Sequence, residues 1–244
     1  MSPVHPITAD LRRTLAGCGA ATVANALLKR GLRNTFVPGL RPVAQGQPPL
    51  VGPAWTLRFI PAREDTDSME IYSRNDSLHR RAIEECDPGA VLVFATGGDA
   101  RASSMGDMMA LRLKVRGVSG AVTDGGFRDA PGIRDTKLPC FQREESGPAT
   151  PIWLHPVEFN VPVGLNGVAV YPGDILVGND EGLVVIPRHL AEEVAAECAG
   201  TAGYEQFVAR EIRSGRSLFG LFPATPESRQ QYETWVANGR PEKE

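Results

Sequence analysis

Several residues that usually announce a function are scarce in this chain. Its 244 residues include four cysteines, Cys18, Cys86, Cys140 and Cys198, each more than fifty residues from the next, with no CxxC pair and no histidine at ligand spacing. That spacing speaks against a zinc site and against structural disulfides. Lysine is equally sparse, with Lys29, Lys114, Lys137 and Lys243 against 22 arginines. A Schiff-base enzyme needs a lysine amine in a desolvated pocket. Here Lys29 and Lys114 fall on polar helix faces, Lys137 in a turn and Lys243 in the tail. No run approaches the roughly 18 apolar residues of a membrane span, and the opening MSPVHPITADLRR lacks the apolar stretch of a signal peptide. The expectation is a cytoplasmic protein without a membrane partner. A net charge of −3 with no basic cluster leaves no electrostatic footprint for nucleic acid. There is no GxSxG for a serine hydrolase, and the glycine pair of ATGGDARASS lacks the lysine and spaced glycines of a nucleotide loop. His5, His79, His155 and His189 stand far apart and read as structural.

What is present is an ordinary globular composition, 42% hydrophobic and 23% charged, with no serine- or glycine-rich linker. One domain over 1–244 is expected, with a helical N-terminal segment and a helical C-terminal extension over about 188–238. Apolar periodicity predicts helices over 8–16 and 20–30, with Thr8 as N-cap and Gly31 as stop. A strand follows over 54–60, then a helix over 69–86 and a fully buried strand over 90–95. Beyond the Gly97-Gly98 turn come a helix over 106–116 and short strands over 119–123 and 138–141. From 161 to 187, Asn166-Gly167, Pro172-Gly173-Asp174 and Asp180-Glu181-Gly182 punctuate short β runs. Helices resume over 188–214 and 226–237. The fold class is therefore α/β, with a mixed sheet and flanking helices.

The most informative stretch is MGDMMALRLKVRGVSGAVTDGGFRD, in which twenty residues separate Asp107 from the pair Arg128-Asp129. It reads as a helix, a short buried strand and a glycine turn that presents an arginine beside a carboxylate. Asp107 sits at the helix start, where free backbone N–H groups of Met108 and Met109 attract an anion. Asp129 suits a divalent cation, and Arg128 offers a planar fork to a carboxylate. Asp124, Asp174 and Asp180 read as turn residues, and the Met108 and Met109 side chains as core.

MGDMM, the spacing to Arg128-Asp129, the TDGGFRD turn and the later YPGDILVGNDEGLVVIP together resemble the proteins similar to regulator of ribonuclease activity A. Within them the likeness is to the catalytic branch, the 4-hydroxy-4-methyl-2-oxoglutarate/4-carboxy-4-hydroxy-2-oxoadipate aldolases. It is strongest over about 90–187. The resemblance implies an α-β-β sandwich related to swivelling phosphohistidine-type domains. It also implies a homotrimer or hexamer and a Mg²⁺ or Mn²⁺ site between subunits where pyruvate binds. It further aligns Glu205, in the C-terminal helix, with a glutamate that reaches the metal's water shell from the neighbouring subunit. Two departures fall in the substrate region: Asn25 where many members carry aspartate, and Ala62-Arg63-Glu64-Asp65 where they carry GDN.

The implied reaction is metal-dependent, class II cleavage of a 4-hydroxy-2-oxo or 2,4-dioxo acid with release of pyruvate. Its demand is to hold the negative charge of a pyruvate enolate. Asp129 would ligate the cation and Arg128 would bind the substrate's oxygens. Gly106 and the Met108 and Met109 N–H groups would receive the carboxylate, and Asp107 would carry the proton at the enolate carbon. Loss of CO₂ from oxaloacetate generates the same enolate, so decarboxylation is an expected side activity. The alternative is a noncatalytic partner of a ribonuclease or helicase, for which a carboxylate beside Arg128 has no use.

Overall fold

The computed structural model describes residues 5–240. They divide into two compact units, one up to Ala195 and one from Ala196 onward.

The first unit opens with α1 (Ala9–Ala16) and α2 (Ala20–Lys29), short strands β1 (Phe36–Val37) and β2 (Arg41–Pro42), and the long β3 (Leu50–Pro61). Next come α3 (Met69–Tyr72), α4 (Leu78–Glu85), β4 (Val91–Ala95), α5 (Asp107–Val115), β5 (Gly120–Thr123) and β6 (Gly126–Phe127). Then follow α6 (Ala130–Thr136), β7 (Cys140–Gln142), β8 (Glu144–Glu145), β9 (Leu154–Phe159), β10 (Val163–Leu165), β11 (Val168–Val170), β12 (Ile175–Asn179) and β13 (Gly182–Ile186).

The main sheet is mixed, in the order β1-β13-β12-β3-β4-β5-β7-β2, with β9 also on β3. Its centre, β3-β4-β5-β7, is parallel, and its flanks are antiparallel. Side chains alternate between faces, as the two-residue strand period requires. Trp55, Leu57, Phe59, Leu92, Phe94, Ala121 and Cys140 join one core with Ala82 and Ile83 of α4, Leu113 of α5 and Ile133 of α6. Leu50, Ala54, Val91, Val93, Val122 and Phe141 join another with Val163, Leu165, Val168 and Val170 of the β10–β11 hairpin. Helices thus cover one face and a hairpin the other, which is why β4 reads as an unbroken apolar run. Burying each large side chain contributes roughly 1.5–3 kcal/mol.

Thr8 caps α1 by accepting from Leu11 N at 3.1 Å, and Gly31 ends α2 at φ +82°. Asn166 and Gly167 turn the β10–β11 hairpin with φ of 44° and 87°. The predicted helix over 69–86 is in fact two. Ser73 Oγ bends back on Met69 O at 2.7 Å and Arg74 forks onto Asp76 at 3.0 and 2.7 Å, so local polar bonds displace the helical ladder. The strand predicted over 54–60 extends back to Leu50, because β12 pairs with Leu50–Pro53. Strand β9 and helix α6 were not anticipated.

In the second unit, α7 (Ala191–Arg213) begins before the division and α8 (Pro226–Ala237) closes the fold. Its core is Tyr204, Phe207, Val208 and Leu221, with Tyr232 and Trp235 packed on it. Tyr204 donates its hydroxyl to Leu221 O (2.5 Å) or to Ser228 Oγ (2.7 Å).

Candidate active site

Two loops leave the carboxyl ends of adjacent parallel strands, β4 and β5, the usual place for a ligand in an open α/β sheet. They are tied together at both levels. The buried Asp124 carboxylate accepts from Thr96 N (2.7 Å), Thr96 Oγ1 (2.9 Å) and Gly98 N (2.9 Å), so this acid serves the turn as expected. Farther out, Ser104 N donates to Gly126 O at 2.8 Å and Arg128 N to Met105 O at 3.0 Å. Asp107 at the head of α5 and Arg128-Asp129 at the head of α6 are thereby brought together.

Two glycines make room for that approach. A Cβ on Gly106 would lie 2.9 Å from Asp129 Oδ2 and 3.0 Å from Arg128 Nε. A Cβ on Gly132, inside α6, would lie 2.5 Å from Asp107 Oδ2 and 2.7 Å from Asp107 Cβ. Elsewhere in a helix, alanine in place of glycine is favourable by about 1 kcal/mol. Here Gly132→Ala should instead destabilise the fold by about 1–3 kcal/mol and cut activity by displacing Asp107. Thermal unfolding with a kinetic assay would check this, and a fully active, more stable variant would show that the contact yields.

Asp129 adopts a left-handed conformation, φ 57° and ψ 39°, at the N-cap of α6, yet its side chain makes no capping bond. Its carboxylate faces Arg128 Nε at 3.3 Å, and both side chains are about half exposed, 46% and 49%. A residue strained in this way without serving the helix is a candidate for function. The other acid, Asp107, accepts from Met108 N at 2.7 Å through Oδ1, and its Oδ2 lies over Gly132. The Met108 N–H is therefore already engaged, contrary to its expected availability. The first helical bond runs from Ala110 N to Gly106 O, which leaves the Met109 N–H ahead of it. Met108 is also not core, its residue being 67% exposed, because it occupies the outer face of the first turn, whereas Met109 packs partly on the core.

Gly106, Asp107, Met108, Met109 and Arg128 line a pocket of about 130 Å³ with Met69, Tyr72 and Thr150. Its volume suits a small acid and is well below the roughly 300 Å³ at which drug-sized ligand sites begin. The residues present fit a hard cation. Asp129 is an oxygen donor with one side open, and Mg²⁺ is typically bound by one or two carboxylates with water at its other positions. Among the described residues there is no group of three or more His, Cys, Asp or Glu that could hold a metal ion.

Tyr72, His79 and Thr150 carry no sequence motif, and sequence reading missed the first and last. His79 is fully buried between the Tyr72 hydroxyl, 2.8 Å from Nδ1, and Ser104 O, 2.6 Å from Nε2. Burial lowers its pKa to about 4, against the opposing pull of the Ser104 carbonyl. An unfolded histidine binds a proton below about pH 6.5. The stability that neutral His79 confers is thus complete above pH 6.5 and lost as pH falls toward 4, by about 3 kcal/mol. Imidazole ¹⁵N shifts should remain those of a neutral Nε2–H ring down to pH 5; a ring that titrates near 6.5 would contradict this.

The remaining expected features fall as follows. Lys29, Lys114 and Lys137 are exposed, and Lys243 lies outside the described residues. All four cysteines are buried and none forms a disulfide, with Cys140 pushed up to about 12 by burial. Asn25 is exposed on α2, and Arg63 pairs with Asp65 at 2.5 Å. Glu64 lines a neighbouring hollow with Trp153, and only Met69 borders both spaces. Glu205 is exposed on α7, whose Arg210 pairs with Glu211 at 2.8 Å. No helix among the described residues is long and apolar enough to cross a membrane.

Comparison with known proteins adds the following. A family model described as RraA-like, Aldolase/RraA, matches residues 20–185. A protein of Halalkalibacterium halodurans named "Putative 4-hydroxy-4-methyl-2-oxoglutarate aldolase" is 32% identical over 59% of this chain and 63% of its own. Protein DlpA of Legionella pneumophila is 25% identical over 86% of this chain but only 32% of its own. The chain thus spans about a third of one relative's length and under two thirds of the other's. Among solved structures, Streptomyces coelicolor RraAS2, titled an unusual member of the RNase ES inhibitor RraA family, superposes with TM-score 0.72. It is 32% identical and covers 84% of this chain and 98% of its own. An uncharacterized protein of Pseudomonas syringae pv. tomato reaches 0.78 at 23% identity over 95% and 98% of the two chains, a likeness of fold alone.

Proposed function

The chain belongs to the RraA-like family, and on that premise we propose that it is a divalent-metal-dependent aldolase. It would cleave a 4-hydroxy-2-oxo or 2,4-dioxo acid to release pyruvate and would decarboxylate oxaloacetate as a side reaction. The observation that carries the reading is the convergence of Asp107, Arg128 and Asp129 around Gly106 and Gly132, with Asp107 and Arg128 lining a pocket sized for a small acid. Relatives named as aldolases point the same way.

Asp129 would hold Mg²⁺ or Mn²⁺, which supplies the positive charge that stabilises a developing enolate. Arg128, permanently charged and half exposed at the pocket, binds the carboxylate of the 2-oxo acid with a two-pronged fork. The Met109 N–H adds a donor from the positive end of α5. In the retro-aldol step the C3–C4 bond breaks, the C4 hydroxyl becomes a carbonyl, and the electrons remain on C3. Asp107, held by Met108 N, takes up the C4 hydroxyl proton through a water and delivers it to C3. Loss of CO₂ from oxaloacetate ends in the same protonation. A homotrimer or hexamer, with Glu205 of α7 serving a neighbouring subunit's site, belongs to the same proposal.

Pyruvate release, followed by a coupled dehydrogenase over a panel of 4-hydroxy-2-oxo acids with and without Mg²⁺, tests the assignment. Release that depends on Mg²⁺ is expected, and none from any member of the panel overturns it. The RNase ES inhibitor title of the Streptomyces neighbour favours a second reading, a noncatalytic regulator. Inhibition of a ribonuclease without pyruvate release would establish that one instead.

A further inference from the structure

The polarity of the hydrogen bonds behind the pocket can be read from one residue. His79 is neutral, so its ring carries a single N–H. Ser104 O can only accept, so at 2.6 Å that N–H is on Nε2, and Nδ1 is left as an acceptor. The Tyr72 hydroxyl at 2.8 Å from Nδ1 must then donate to it. A parallel constraint acts on Thr150, whose Oγ1 lies 2.7 Å from Ser103 O, another pure acceptor, and so donates there. Both hydroxyl protons are turned inward and spent.

The oxygens of Tyr72 and Thr150 are 3.3 Å apart, and both residues line the pocket that holds Asp107 and Arg128. With their protons committed, neither can donate to the other or to a ligand. They form a paired acceptor in the pocket that Arg128 and Asp107 also line. A ligand that satisfies both ends carries a carboxylate for Arg128 and a hydroxyl donor for the pair.

We propose that Tyr72, oriented by His79, determines specificity together with Thr150 by accepting a hydrogen bond from the C4 hydroxyl of a 4-hydroxy-2-oxo acid. This rests on the aldolase reading and deepens it, because it separates two substrates that share every other step. Oxaloacetate has no hydroxyl to offer the pair. A 4-hydroxy-2-oxo acid does, and without it two acceptor oxygens stay unpaired in a narrow site.

The test compares kcat/KM of wild type and Tyr72→Phe for 4-hydroxy-4-methyl-2-oxoglutarate and for oxaloacetate, both with Mg²⁺. The variant should lower the ratio of aldol cleavage to decarboxylation about tenfold, the worth of one hydrogen bond. Equal losses on both substrates would make Tyr72 a structural residue, and wild-type kcat/KM on both would leave the two oxygens to water; either result overturns the inference. If Tyr72→Phe fails to fold, Thr150→Val removes the partner oxygen with little change of shape, and the same ratio decides. Wild-type protein that releases pyruvate from neither acid overturns the aldolase reading itself, and this inference with it, an outcome distinct from a retained activity with an unchanged ratio.

Discussion

Asp129→Ala should reduce pyruvate release to background while leaving the melting temperature within a few degrees of wild type. The two halves of that expectation come from the same geometry. Asp129 is half exposed, makes no capping bond to α6 and pairs with Arg128 at 3.3 Å, so its carboxylate contributes little to the fold. An exposed ion pair of this kind is worth about 0–1 kcal/mol. Relief of a left-handed conformation is not gained by alanine, which tolerates that region poorly. The functional loss should be far larger, because under the proposed assignment this one carboxylate would anchor the cation and water would supply the rest of its shell. EDTA should inactivate wild type reversibly, and Mg²⁺ should restore it. Full oxaloacetate decarboxylation in EDTA would rule out the metal. The assembly can be probed with the same variant. Mixing Asp129→Ala chains with Glu205→Ala chains should regenerate some intact sites if α7 serves a neighbour, since one site in each mixed pair then carries neither change. Subunits that exchange without recovering activity would place the whole site within one chain.

Legibility in the sequence followed from how local each cause is. Thr8, Gly31, the Gly97-Gly98 pair and Asn166-Gly167 act through their own backbone, and each stands where its chemistry predicts. The apolar run of β4 was legible because a central parallel strand is buried on both faces. The helix over 69–86 failed because Ser73, Arg74 and Asp76 satisfy one another's polar groups, a competition that apolar periodicity does not register. Helix α6 has Pro131, a start signal, in its first turn, but Gly125-Gly126 and Arg128-Asp129 just before it carry the stronger local signal of a turn. At the site, the spacing of Asp107 to Arg128-Asp129 identified three residues that do converge. Tyr72 and Thr150 escaped because they reach the pocket from α3 and from the segment before β9, through pairings that no local pattern encodes. The Met108 side chain was misassigned because a first-turn residue of a nearly non-amphipathic helix has no face that sequence can orient.

Arg128→Lys and Asp107→Asn should both be severe, and they should differ in kind. Lysine keeps the charge of Arg128 but presents a single ammonium where a planar fork would grip two oxygens. Both KM and kcat should suffer, with kcat/KM lower by about 10²-fold, the order seen when one preorganised donor to a developing anion is lost. Asp107→Asn preserves shape, and its Oδ1 can still accept from Met108 N, so the head of α5 and substrate binding should persist. What it removes is the proton carrier at C3, so kcat should fall by about 10²–10⁴-fold with KM little changed. The two carboxylate oxygens of Asp107 are not equivalent in this respect, since Oδ1 is committed to Met108 N and Oδ2 lies over Gly132. The amide would have to set its NH₂ where Oδ2 was, against the same glycine, and would offer no proton at any pH. An Asp107→Asn enzyme with wild-type kcat across pH would remove Asp107 from the chemistry and leave it as the cap of α5.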